Sequence, residues 1–245
     1  MKKLLALLLA VPAIALASSG AGKTPLDHAP IDLHDRISLQ RGAQIFVNHC
    51  LNCHSASAMR YTRLQDLGLT EAQIRDNLLL AGDKVGETMS AAINPAASKA
   101  AFGIVPPDLS LAARSRSADW IYTYLRSFYR DPATKSGWNN TVFPNVAMPH
   151  VLWEYQGRQA LQVTEKQDPH TGDVHQTRRL VMEQTGSLTP VQYDQYTADL
   201  VNFLAYMGEP AQSDRKKWGI LVLFFLAGFL VLALMLKTEY WKDVR

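Results

Sequence analysis

Residues 218 to 236 read WGILVLFFLAGFLVLALML, nineteen positions without a charged side chain. At about 1.5 Å of rise per residue this helix would be roughly 28 Å long, close to the hydrocarbon thickness of a bilayer. A buried core helix is usually shorter and keeps a polar stripe. Arg215, Lys216 and Lys217 precede the run, and Lys237, Lys242 and Arg245 follow it. Trp218, Tyr240 and Trp241 stand where interfacial aromatics sit. The pattern predicts a transmembrane anchor over residues 215–236 and a tail over 237–245. Basic residues on both flanks leave the orientation undecided, so the other end decides it. Residues 1–17, MKKLLALLLAVPAIALA, have a positive start (Lys2, Lys3), an apolar stretch broken by Pro12, and a small-x-small site at Ala15-Leu16-Ala17. These are the parts of a secretory signal peptide cleaved after Ala17. Residues 18–214 are therefore expected to form an exported, periplasmic globule. The layout is that of a single-pass protein of a bacterial inner (cell) membrane with a cytoplasmic tail.

The 245 residues are 47% hydrophobic and 19% charged, which excludes a disordered, collagen-like or coiled-coil chain. Two cysteines are too few for a disulfide-stapled scaffold. The formal net charge of +3 comes from the ends: residues 18–214 hold 17 Lys+Arg against 20 Asp+Glu, a net of −3. No basic patch points to nucleic acid, and that class is set aside.

Both cysteines fall in Cys50-Leu-Asn-Cys-His54. C-x-x-C-H is the attachment pattern of c-type haem. Two thiols three residues apart on a helical turn lie on one face, where they can add to the two vinyl groups as thioethers. The next residue, His54, can turn its imidazole under the iron. A redox C-x-x-C needs no adjacent His, and a zinc site wants four ligands where no second pair exists. The export signal agrees, because bacterial haem attachment of this type occurs outside the cytoplasm. One covalent haem c is expected, held by Cys50 and Cys53 with His54 as the proximal ligand.

A second axial ligand would close the iron, and a Met there raises the potential. Met148 lies in Phe143-Pro-Asn-Val-Ala-Met-Pro-His150, an extended segment stiffened by prolines, and leads on pattern. Met89 in a loop-like stretch is second; His150 and His170 are the nitrogen alternatives. Met59 is too near His54 to reach the opposite haem face, and Met182 and Met207 read as packing residues. His49 reads as a helix residue near the haem edge, and His28, His34 and His175 carry no assigned role.

Coarse patterning predicts helices over Leu39–His49 with Ser38 as a possible N-cap, Thr70–Leu80 with a Thr70/Gln73 capping box, Ser117–Tyr129, and Val191–Met207 behind Thr189-Pro190. Residues 81–105 read as loop. Ala160–Val163 and Leu180–Met182 read as two short strands joined by a polar segment with His170 and Gly172. Gly42 permits close approach of a partner helix, with Leu200, Phe203 and Leu204 as the face it would meet. The class is mainly α with a short β-hairpin, plus the C-terminal membrane helix.

At this point the chain resembles the cytochrome c1 family, the haem subunits of ubiquinol–cytochrome c reductase (bc1) complexes. The likeness is carried by Arg41-Gly-Ala-Gln-Ile-Phe46, Cys50-Leu-Asn-Cys-His-Ser55, Pro106-Pro-Asp-Leu-Ser110, Ala147-Met-Pro-His-Val-Leu-Trp-Glu154 and Asp199-Leu-Val-Asn-Phe-Leu-Ala-Tyr-Met-Gly-Glu-Pro210, closed by the tail anchor. The resemblance implies a cytochrome c-type helical domain with insertions. It implies Met148 as the distal ligand, Pro107 beside the cofactor, and Arg114 as partner of a haem propionate. It further implies a non-catalytic electron relay from a Rieske iron–sulfur protein to a soluble or membrane-bound c-type cytochrome, beside cytochrome b in a dimeric complex. No cysteine remains for the disulfide found in some relatives. Two rivals are a haem enzyme or gas sensor with an open iron and a stand-alone anchored cytochrome serving an oxidase. The net −3 globule favours a basic partner by steering.

Overall fold

The computed structural model describes residues 25–167 and 174–243. The signal-peptide expectation over 1–17, together with His170 and Gly172, lies outside them. Helix α1 (Arg36–Ile45) opens the globule. Its cap is Asp35, whose carboxylate accepts from the Ser38 N–H at 3.0 Å; Ser38 is instead a buried residue of the first turn. The helix runs on into a π turn, Phe46–Cys50, which closes with the Leu51 N–H on the Phe46 carbonyl. Strand β1 (Ala56–Arg60), a 3-10 turn (Tyr61–Leu67) and helix α2 (Glu71–Asn77) follow, with the Thr70/Gln73 capping box formed in both directions.

The stretch 81–105 is not all loop. It holds strand β2 (Thr88–Met89), which pairs antiparallel with β1. It also holds helix α3 (Pro95–Phe102), capped by Asn94, opened by Pro95 and stopped by Gly103 in the left-handed region (φ 79°). Those are ordinary start and stop signals; the small residues between them carry no apolar stripe. Helix α4 (Ala112–Arg116) and helix α5 (Ala118–Arg126) come next. The chain then straightens into β3 (Phe128–Arg130), paired with β4 (Trp138–Asn140), so the helix expected to reach Tyr129 ends earlier. After the one-turn helix α6 (Trp153–Gln156), β5 (Gly157–Gln167) and β6 (Val174–Thr185) form a hairpin longer than its apolar centres. Residues 164–165, 176–179 and 183–185 of it are polar and exposed, so hydropathy marked only Ala160–Val163 and Leu180–Met182.

Helix α7 (Pro190–Gly208) is the spine, with Thr189 and Gln192 as a second capping box. It crosses α1 closely. A Cβ on Gly42 would overlap the Asp199 carbonyl and lie 2.7 Å from Phe203 Cβ, so only glycine lets the backbones meet. Phe46 and Phe203, both fully buried, meet there with ring centroids 5.7 Å apart. Removing each from water stabilises by about 2–3 kcal/mol. Arg41 reaches across to Asp199 with two bonds (2.5 and 2.9 Å). Asn202 binds the Asp32 carbonyl (2.8 Å) and Ser38 Oγ (3.0 Å). The contact is thus apolar at its centre and charge-paired at its edge.

Helix α8 (Gln212–Tyr240) has 29 residues, none of them buried, and its central window has a mean hydropathy of 2.9. Among the described residues it is the helix long and apolar enough to cross a membrane. Arg215 at its start is paired with Glu209 at the foot of the globule.

Candidate functional site

The Cys-x-x-Cys-His run leaves the π turn as a tight turn: the Cys50 carbonyl accepts from both the Cys53 N–H (3.1 Å) and the His54 N–H (2.8 Å). Both cysteines are free and half-buried. Burial, with Cys53 beside it, pushes the Cys50 thiol up to about 12. His54 is half-buried, and desolvation outweighs its polar neighbours to depress its pKa. Its Nδ1 lies 2.7 Å from the Pro107 carbonyl oxygen. A carbonyl only accepts, so Nδ1 carries the proton and Nε2 keeps its lone pair for a metal.

Pro107 is held in place by the residues around it. Asp108 accepts from the Ser57 N–H (2.8 Å), Ser57 Oγ (2.7 Å) and the Ser110 N–H (2.8 Å). The Leu109 N–H donates to the Ser55 carbonyl (2.8 Å), and the Ala58 N–H to Ser110 Oγ (3.0 Å). Residues 106–110 thus strap residues 55–58. Burial raises the Asp108 carboxyl, but the bonds from Ser110 and Ser57 outweigh it and hold the group below the usual carboxylate range.

Met148 stands on a loop that the side chains of β4 shape. Asn139 Oδ1 accepts from the Asn145 N–H (2.8 Å). Asn140 Oδ1 accepts from the Val142 and Phe143 N–H groups (2.8 and 3.1 Å). Asn145 itself takes a left-handed conformation (φ 61°), which Asn tolerates. Asn140 Nδ2 donates to the Tyr124 carbonyl (2.7 Å), and the Tyr124 hydroxyl donates to Met148 Sδ (3.3 Å). A cavity of 470 Å³, lined in part by Phe102, Lys135, Val146, Ala147 and Pro149, opens on the flank of this loop.

The other candidates are placed as follows. Met89 is fully buried on β2, opposite Ala56, which puts its backbone beside the His54 end of the site. Met59 and Met207 are core residues, and Met182 lies on the exposed hairpin. His150 is 2% exposed, stacked on Phe128 (4.8 Å) and edge-on to Trp138 (5.2 Å). Desolvation pushes its pKa down to about 4, and its Nε2 has no hydrogen-bond partner. His49 packs against Tyr155 and Tyr196. Arg114 is exposed on α4, with Nη1 3.6 Å from Glu209 Oε2 and its stem against Gly208. Sequence reasoning missed the strap residue Ser57, the loop-shaping Asn139 and Asn140, and Tyr124 as more than a core ring. An Asn-Asn pair before a Pro-rich segment is a turn signal that was available.

Two thiols and an imidazole with a fixed tautomer on one turn, and a thioether presented from a stiffened loop, fit a c-type haem in chemistry. Among the described residues no group of three or more His, Cys, Asp or Glu could hold a bare metal ion. The family model described as "Cytochrome C1 family" matches residues 27–244. The chain belongs to the cytochrome c1 family. It is 46% identical to cytochrome c1 of Allochromatium vinosum over 99% of both chains. It is 49% identical to a Nitrosomonas europaea protein named ammonia monooxygenase gamma subunit, over 98% of this chain and 97% of that one. The mitochondrial cytochrome c1 haem protein of Saccharomyces cerevisiae is 24% identical, over 89% of this chain and 71% of that protein. Membership in this family makes the chain a membrane-anchored electron carrier with a haem cofactor, in keeping with the apolar helix α8.

Proposed function

We propose that this chain is the cytochrome c1 of a bc1 complex, passing electrons from a Rieske iron–sulfur protein to a c-type cytochrome. Cys50 and Cys53 would hold one haem by thioethers, with His54 and Met148 offering nitrogen and sulfur to its iron. When bound, haem supplies a one-electron iron couple. The chain's own residues do the rest. The contact that carries the reading is His54 Nδ1 on the Pro107 carbonyl at 2.7 Å. It fixes the ring's orientation and raises the basicity of Nε2. The Asp108 strap keeps that carbonyl in place. Arg114, exposed and only loosely paired with Glu209, is free to turn to a propionate, because an exposed pair at that distance holds it by about 0–1 kcal/mol. Residues 1–17 would direct export, leaving the globule in the periplasm, helix α8 in the inner membrane and the last residues in the cytoplasm. Cytochrome b and the Rieske protein are the expected partners, in a dimeric complex.

Haem fluorescence on a denaturing gel tests the attachment. A band at the size of the mature chain is expected, and it should vanish in the Cys50→Ser, Cys53→Ser variant. Colourless protein from cells with a working maturation apparatus would overturn the reading. Met148→Leu should change the reduced spectrum and the potential; an unchanged pair removes Met148 from the iron. Purification in mild detergent should bring cytochrome b and a Rieske protein. The Nitrosomonas europaea relative's name favours a second association: recovery with a monooxygenase and without cytochrome b would put this haem carrier in that assembly instead.

A further inference from the structure

We propose that Tyr124 is a positioning residue for the distal side of the haem, its hydroxyl donating to the Met148 thioether so as to raise the reduction potential and loosen the sulfur–iron bond of the oxidised form. The inference rests on the reading of Met148 as a ligand. The geometry is specific. The Tyr124 hydroxyl lies 3.3 Å from Met148 Sδ, an ordinary separation for a hydrogen bond to sulfur. The ring cannot easily turn away: Trp120 stacks on it at 4.9 Å and 10°, and Phe128 meets it edge-on at 5.0 Å. The Tyr124 carbonyl is tied to Asn140, whose Oδ1 holds Val142 and Phe143. Helix α5 and the Met148 loop are therefore one unit, and the hydroxyl keeps its aim.

A thioether sulfur has two lone pairs. One can bind iron while the other accepts the phenolic O–H. A hydrogen bond on sulfur draws electron density from it and weakens donation to the metal. Ferric iron, with the greater charge, loses more from this than ferrous iron, so the reduced state is favoured. Hydrogen bonding around a ligand is one of the protein's levers on potential. Phenylalanine at this position would keep the packing and remove only the donor.

The test is Tyr124→Phe in the complex purified in mild detergent. Covalent haem on a denaturing gel and the sulfur-to-iron charge-transfer band of the oxidised form should both persist. At fixed ambient potential the ferric-to-ferrous ratio should rise by about 2- to 12-fold, the range that one net neutral hydrogen bond spans. Imidazole should bind the ferric form more weakly, by a similar factor at most, because it must displace a stronger sulfur ligand. Met148→Leu is the companion variant. If it alters the potential and imidazole binding while Tyr124→Phe alters neither, Tyr124 only packs and the proposal fails, with the ligand assignment intact. If Met148→Leu also alters neither, the ligand assignment fails and this inference with it.

Discussion

Replacing Asp108 with Asn tests whether the strap over residues 55–58 holds the proximal side. The carboxylate accepts three bonds, from the Ser57 N–H, Ser57 Oγ and the Ser110 N–H. Asn offers one oxygen, so it can serve Ser57 or Ser110 but not both, and the bonds it keeps lose their charge assistance. A hydrogen bond to a charged group contributes about 1.5–3 kcal/mol when buried. Asp108 is exposed, and solvent screening cuts this, leaving a cost of about 1–2 kcal/mol for the variant. With an m-value of roughly 4–6 kcal/mol per M, the guanidinium midpoint should fall by about 0.3 M. The assay is loss of the near-ultraviolet circular dichroism of the detergent-solubilised protein, which reports unfolding of the globule. The pH dependence has a definite sign. The folded carboxyl titrates below its unfolded value of about 3.9. Its contribution is full above that value and is lost as pH falls through the lower folded value. The gap between Asp108 and Asn chains should therefore be widest near neutrality and close under acid. Equal midpoints at pH 7, or a gap that grows in acid, would refute the reasoning.

Other perturbations discriminate other parts of the argument. Gly42→Ala gains about 1 kcal/mol of helix propensity but drives a methyl into the Asp199 carbonyl and Phe203; overpacking costs about 1–3 kcal/mol or more where backbone must move, so chemical denaturation should show net destabilisation. Asn140→Ala strips partners from the buried Tyr124 carbonyl, at about 1–3 kcal/mol, and from the part-buried Val142 and Phe143 N–H groups; the Met148 loop should loosen and exogenous ligands should reach the haem faster by stopped flow. A chain ending at Ala211 should partition into the aqueous phase and lose at most about 1 kcal/mol of stability, since no α8 residue is buried and the exposed Arg215–Glu209 pair is the main tie removed.

Cys50, Cys53 and His54 were legible as one candidate site because their spacing puts two thiols and an imidazole together, and the structure folds them on one turn. The α1–α7 crossing was legible too, in Gly42 and the Leu200, Phe203 and Leu204 face. The strap was not, because Asp108 reaches Ser57 across 51 positions, and nothing local to either residue announces the pairing. Pro107 entered only through family likeness; its role is a backbone carbonyl, which any residue type carries. Helix α3 had its signals, but its Ala-rich interior lacks the periodicity that directs attention to a helix. His150, two positions past Met148, reads as a nitrogen alternative; its ring sits between Phe128 and Trp138 with Nε2 unpaired.

The two sides of the site are secured by different physics, and the difference bears on what each can tolerate. On the His54 side the ties include several hydrogen bonds from residues 50–58 to residues 106–110 and to residues 91–93, many of them partly exposed. Such ties are individually weak, at about 1 kcal/mol, but they act in parallel, so one loss shifts the imidazole rather than freeing it. On the Met148 side, buried amides and a ring stack fix one loop to one helix, and Asn140 alone serves three backbone groups. Losing a shared buried partner costs more than losing one of several exposed ones. Variation in potential without loss of fold is therefore easier to reach through the hydroxyl of Tyr124, which touches the sulfur and nothing structural, than through the amides beneath it.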